Sequence, residues 1–225
     1  MALEIDWSRD RIRVHLIESA KVMLQAADKC ADAILAAAHL ISDSFQNGGK
    51  LMICGNGGSA AESQHLAAEF VSRLTGEFQR PGLPAIALTT DTSIITAHAN
   101  DYSFDEIFER QVQVLGSAGD VLMGLSTSGG SENILRAFKA ARAMEIRTVA
   151  LVGSARGGIA AAADVAIRIP SRNNQYIQEA HLAVEHLVCD LVERYLFGEK
   201  GQRAAGEAVR QKRPAQRRTG LKRAG

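Results

Sequence analysis

No apolar run in the sequence approaches the roughly 20 residues that a membrane-crossing helix needs. Residues 1–10 have neither the basic start nor the apolar stretch of a signal peptide. A cytoplasmic protein without a membrane partner is the expectation. Cysteines number three, Cys30, Cys54 and Cys189. An odd, widely separated set argues against a disulfide framework or a cysteine metal site and fits reduced, buried thiols. Aromatic residues make up 5% of the chain, so its core must be built from Ala, Leu, Ile and Val. GxxxxGK[ST] occurs nowhere, which excludes a P-loop.

What is present suits an ordinary soluble chain, with 46% hydrophobic and 23% charged residues over 225 positions. That length holds one α/β domain with a sizeable core. Charge is unevenly spread. From Lys200 onward nine basic residues face the single acid Glu207, a net +8, so the remainder of a chain at +1 overall carries −7. A tail with few large apolar residues cannot bury enough surface to fold alone, and disorder is expected of it. Nucleic acid enters as a partner only through this tail, and no aromatic residue interleaves its charges.

Apolar residues at helical spacing from Trp7 to Phe45 predict one long helix or two consecutive ones, ended by Asn47-Gly48-Gly49. Because this segment is apolar on more than one side, it is expected to pack against another subunit as well as its own core. Apolar strand-like runs follow at 50–54, 85–88, 121–125, 148–152 and 165–169, separated by helix-like runs, with a last helix over about 175–196. Strands apolar throughout and alternating with helices predict a parallel sheet covered on both faces. The expected fold is a three-layer α/β/α sandwich, its five-stranded sheet in the flavodoxin-like order 2-1-3-4-5. Residues 1–48 are expected to form a helical oligomerisation segment, 49–198 the α/β domain and 199–225 the basic tail.

In that order strands 1 and 3 are neighbours, and open α/β sheets bind ligands at the crevice between their ends. Two loops begin there: Gly55-Asn56-Gly57-Gly58-Ser59 and Ser126-Thr127-Ser128-Gly129-Gly130-Ser131. Glycines let the backbone approach closely, while amides and hydroxyls at a helix N-terminus present donors to an anion. The pair points to a phosphate. Two other readings stand beside it: the first loop also spells GxGxxA, a weak dinucleotide fingerprint with Asp91 as its acid, and Ser131 could simply cap the next helix. His65 and Glu69, four residues apart, share one helix face. Gln178, His181 and His186 stand loosely on one side of the last helix. Such groups could supply a general acid, a general base or metal ligands.

Cys54 to Ser59, Gln64-His65 with Ala68-Glu69, Thr89-Thr90-Asp91, Ala99-Asn100-Asp101, Gly119-Asp120, Ser126 to Gly129, and Ile177-Gln178-Glu179 with His181 and His186 resemble the sugar isomerase (SIS) domain of the phosphoheptose isomerase family. The resemblance runs from about residue 10 to 197. It implies isomerisation of sedoheptulose 7-phosphate to D-glycero-D-manno-heptose 7-phosphate, the first step towards the activated heptose of lipopolysaccharide core or other glycans. It implies a homotetramer with active sites at subunit boundaries. Ser126, Thr127, Ser128 and Ser131 would hold the phosphate, and Asn56, Gly57, Gly58, Asn100 and Asp101 would line the sugar site. Glu69 and His186 would carry proton transfer, and His65, Glu69, Gln178 and His186 would hold zinc. Gly130 departs from the Asn that many relatives carry, and the basic tail has no counterpart.

A rival on the same fold is a non-catalytic SIS-domain protein that binds a replication initiator. It resembles this chain at Gln64-His65, Pro170-Ser171, Ile177-Gln178 and Cys189-Asp190-Leu191, but lacks counterparts of Glu69 and His186.

Overall fold

The computed structural model describes residues 2–77 and 79–198, with side chains from Trp7 onward, so the basic segment 199–225 lies outside the described residues. Residues 1–48 hold one unbroken helix, α1 (Ala2–Gln46). Neither glycine nor proline interrupts it, which removes both ordinary causes of a break. Gly48, at φ +83°, ends it in the left-handed conformation that glycine adopts without strain.

Strands and helices then alternate as their apolar runs predict: β1 (Leu51–Gly55), α2 (Gly58–Val71), β2 (Ala85–Ala87), α3 (Thr92–Asp101), a 3-10 turn (Phe104–Glu106), α4 (Ile107–Leu115), β3 (Val121–Ser126), α5 (Glu132–Ala143), β4 (Arg147–Val152), α6 (Gly158–Ala162), β5 (Val165–Arg168) and α7 (Asn174–Phe197). The five strands are parallel in the order β2-β1-β3-β4-β5. Successive side chains on a strand point to opposite faces, and both faces are covered. Leu51, Ile53, Met123 and Leu151 meet a core shared with α1, α2 and α7, whereas Met52, Cys54, Leu122 and Ala150 meet one shared with α4, α5 and α6.

Polar ties hold α1 against α7. Glu179 accepts from Ser19 and pairs with His15 Nε2 at 2.7 Å, and further along His39 stacks on Tyr195. The outer side of α1 stays apolar and open: Trp7 is 69% and Leu24 70% exposed, with Ile12 and Leu16 between them. Among the described residues no helix is long and apolar enough to cross a membrane.

Candidate active site

The register places Gly55 beside Leu125, so the two loops leave adjacent strand ends. From there α2 packs on one face of the sheet and α5 on the other, so the switch point, where open α/β sheets bind ligands, falls between the two loops. Gly57 precedes α2 at φ +58°, a conformation that would strain any residue with a Cβ. Asn56 reaches across to Asn133, and the two amides exchange hydrogen bonds of 3.0 and 2.9 Å. Asn133 fastens one loop to the other. Its position two residues beyond Ser131 is the only sign of this in the sequence.

Ser131 occupies the cap position of α5, yet its side chain makes no capping bond. Its hydroxyl lies 3.1 Å from Ser126 Oγ, which also accepts from the Gly129 amide at 3.1 Å. Ser128 Oγ accepts from the Gly130 amide at 3.2 Å. Three hydroxyls therefore gather inside the loop, where simple helix capping would require one. The backbone of Thr127 packs on Gly153, where an added Cβ would fall 2.5 Å from the Thr127 carbonyl oxygen. Gly129, at φ +67°, bends the loop, and its carbonyl accepts from the Ile159 amide.

Beside the loops α2 and α7 lie together, running in the same direction, and polar side chains link them at intervals. At the start of α2, Gly58 packs against Gln178, whose Nε2 lies 2.2 Å from where a Cβ on Gly58 would be. One turn on, Glu62 Oε2 is 3.8 Å from His181 Nδ1. Next, His65 Nε2 and His186 Nε2 share a hydrogen bond of 2.8 Å, with Glu69 Oε1 3.8 Å from the same His65 nitrogen. Glu69 and His186 thus converge on one atom from separate helices. His65 is 39% exposed and Glu69 20%, so a ligand can reach them.

His181 parts company with Gln178 and His186. It is fully buried, with neither ring nitrogen hydrogen-bonded, near the equally buried Glu185. Burial, reinforced by the nearby Glu62 carboxylate, pushes the Glu185 carboxyl up to about 9. An acid whose pKa rises on folding has its full stability below the unfolded value, 4.5, and loses it as pH climbs towards 9. Glu185→Gln removes that loss. Its thermal midpoint should exceed the wild type's by several degrees at pH 8 and by little at pH 5, read by calorimetry; a pH-independent difference would contradict the assignment.

Asn100 and Asp101 sit exposed on the last turn of α3 and bond to each other at 2.8 Å. Among the described residues no hydrogen bond joins them to either loop or to α7. Asp91 caps α3, accepting from the Ile94 amide at 2.9 Å. All three cysteines are free and buried, and burial raises each thiol, so none is a ready nucleophile.

The SIS domain family model matches residues 15–153, from within α1 to just past β4. The sheet order and the paired loops are therefore those of an SIS-domain protein. A phosphoheptose isomerase of Roseiflexus sp. (strain RS-1) is 47% identical over 193 residues, covering 86% of this chain and 95% of the relative. That of Thiobacillus denitrificans is 48% identical over 192 residues, covering 84% and 96%. Among solved structures, the phosphoheptose isomerase of Neisseria gonorrhoeae superposes with a TM-score of 0.77 at 41% identity, covering 82% of this chain and 98% of its own. The chain belongs to the phosphoheptose isomerase family and is an isomerase.

Proposed function

We propose that this isomerase interconverts sedoheptulose 7-phosphate and D-glycero-D-manno-heptose 7-phosphate through a cis-enediol, feeding the synthesis of an activated heptose. One observation carries the reading: the Glu69 carboxylate and the His186 imidazole both stand within 4 Å of His65 Nε2. A ketose becomes an aldose when a base takes the C1 proton and returns it at C2, while an acid moves a proton between the two oxygens. Glu69 is the base. His186, whose imidazole carries both a donor and an acceptor nitrogen, serves the oxygens. The phosphate sits on the hydroxyls of Ser126, Thr127, Ser128 and Ser131 at the N-terminus of α5, which holds the carbonyl end over the two side chains. Asn56, Gly57 and Gly58 line the sugar, and the exposed Asn100 and Asp101 contribute across a subunit boundary.

Zinc suits the donor set of His65, Glu69, Gln178 and His186. His65 Nε2 stands 2.8 Å from His186 Nε2 and 3.8 Å from Glu69 Oε1, which gathers three of these donors in one place. As they stand, the described residues form no closed cluster of three metal-ligating His, Cys, Asp or Glu side chains. A bound ion would polarise the carbonyl and stabilise enediolate charge, and the neutral Gln178 makes its affinity modest.

The open apolar side of α1, together with the exposed Leu182 and Leu187 of α7, favours burial against further copies in a homotetramer. Sedimentation should give four chains per particle; a monomer would contradict it. For activity, the purified protein is incubated with sedoheptulose 7-phosphate with and without zinc, and the aldose product is followed. Turnover is expected. Its absence, with binding to a replication initiator, would favour the non-catalytic rival.

A further inference from the structure

The proposed proton transfer depends on how closely Glu69, on the last turn of α2, approaches His186 on α7. A third element sets that approach. Arg80, from the loop that leads to β2, has a side chain fully buried, and it is paired with the equally buried Glu193 of α7 at 2.6 Å. The guanidinium also donates to the carbonyl oxygens of Glu69 and Phe70, each at 2.9 Å. Those carbonyls belong to the last turn of α2, which has no further turn to satisfy them. A cation at a helix C-terminus also complements its dipole. Glu193 follows His186 by seven residues, nearly two helical turns, so the two lie on one face of α7. Glu193 in turn accepts from the Leu74 amide at 3.3 Å, beyond the end of α2.

We infer that Arg80 and Glu193 are positioning residues: one buried guanidinium grips the backbone of the proposed base and the helix of the proposed acid together, fixing the distance between them. The inference rests on the isomerase reading above. The planar guanidinium is required because it directs separate N–H groups to two carbonyls and a carboxylate at once. A lysine keeps the charge but cannot span all three acceptors. A carboxamide at position 193 keeps an acceptor but removes the charge that fixes it.

Arg80→Lys and Glu193→Gln are therefore compared with the wild type for kcat, KM, thermal midpoint and affinity for inorganic phosphate. Phosphate reports the hydroxyl loop, which neither residue touches. In folded variants kcat should fall about 30-fold with KM and phosphate affinity within threefold, since a displacement on the order of 1 Å can cost about 100-fold in rate. An unchanged kcat, or parallel loss of kcat and phosphate affinity, would overturn the inference. A readout independent of activity accompanies these. With 15N-labelled histidine, the ring signals of the His65–His186 pair should shift in Arg80→Lys while those of the remote His98 stay in place. Unmoved signals for the pair would overturn the inference even if the wild type proved inactive on this substrate, a result that by itself would count only against the isomerase reading.

Discussion

Glu69→Gln and His186→Ala should each lower kcat by about 1000-fold, the scale on which a positioned acid or base contributes. KM should change by much less, because neither side chain belongs to the hydroxyl loop proposed to hold the phosphate. Both residues are partly exposed, so their replacement leaves no large cavity and the fold should survive. Steady-state kinetics beside a thermal scan decides the matter. Near-normal kcat in either folded variant would remove that residue from the mechanism.

The second large effect belongs to the hydroxyl loop. Replacing Ser128 and Ser131 together by alanine should raise KM about 100-fold or more, because each removes a hydrogen bond to a charged group worth about 1.5–3 kcal/mol. The effect on kcat should be far smaller. Gly157→Ala should produce the same signature without touching a hydroxyl. An added Cβ there would fall 2.0 Å from the Gly129 carbonyl oxygen, and the loop that carries the serines has to move. Equal loss in kcat and KM for both variants would mean that this loop does more than hold an anion.

The α/β alternation, the strand order and the switch point were all legible from the chain, because buried parallel strands announce themselves as unbroken apolar runs. Strand ends shift by at most one residue: Gly55 and Ser126 extend their strands by one position into the loops. The His65–Glu69 face was legible as well, since four residues on a helix is a local relation. What stayed hidden was everything set by packing between distant segments. His65 meets His186 across 121 positions, Arg80 meets Glu193 across 113, and Asn56 meets Asn133 across 77. Nothing in a spacing rule turns His181 inward to Glu62 while His186, on the same helix, reaches His65. Helix faces alone make Gln178 and His186 candidates for a joint site with His65 and Glu69; the resemblance to a known family gives them their roles. Arg80 and Glu193 escaped both approaches. An arginine before a proline in a loop looks like a solvated charge until the helix ends around it are built.

The central claim is geometric, and a crystal structure of Glu69→Gln holding sedoheptulose 7-phosphate tests it most directly. The phosphate should rest among the hydroxyls of Ser126, Ser128 and Ser131, with C1 and C2 of the sugar lying between residue 69 and His186. A phosphate bound elsewhere, or a carbonyl end turned away from His186, would contradict the account.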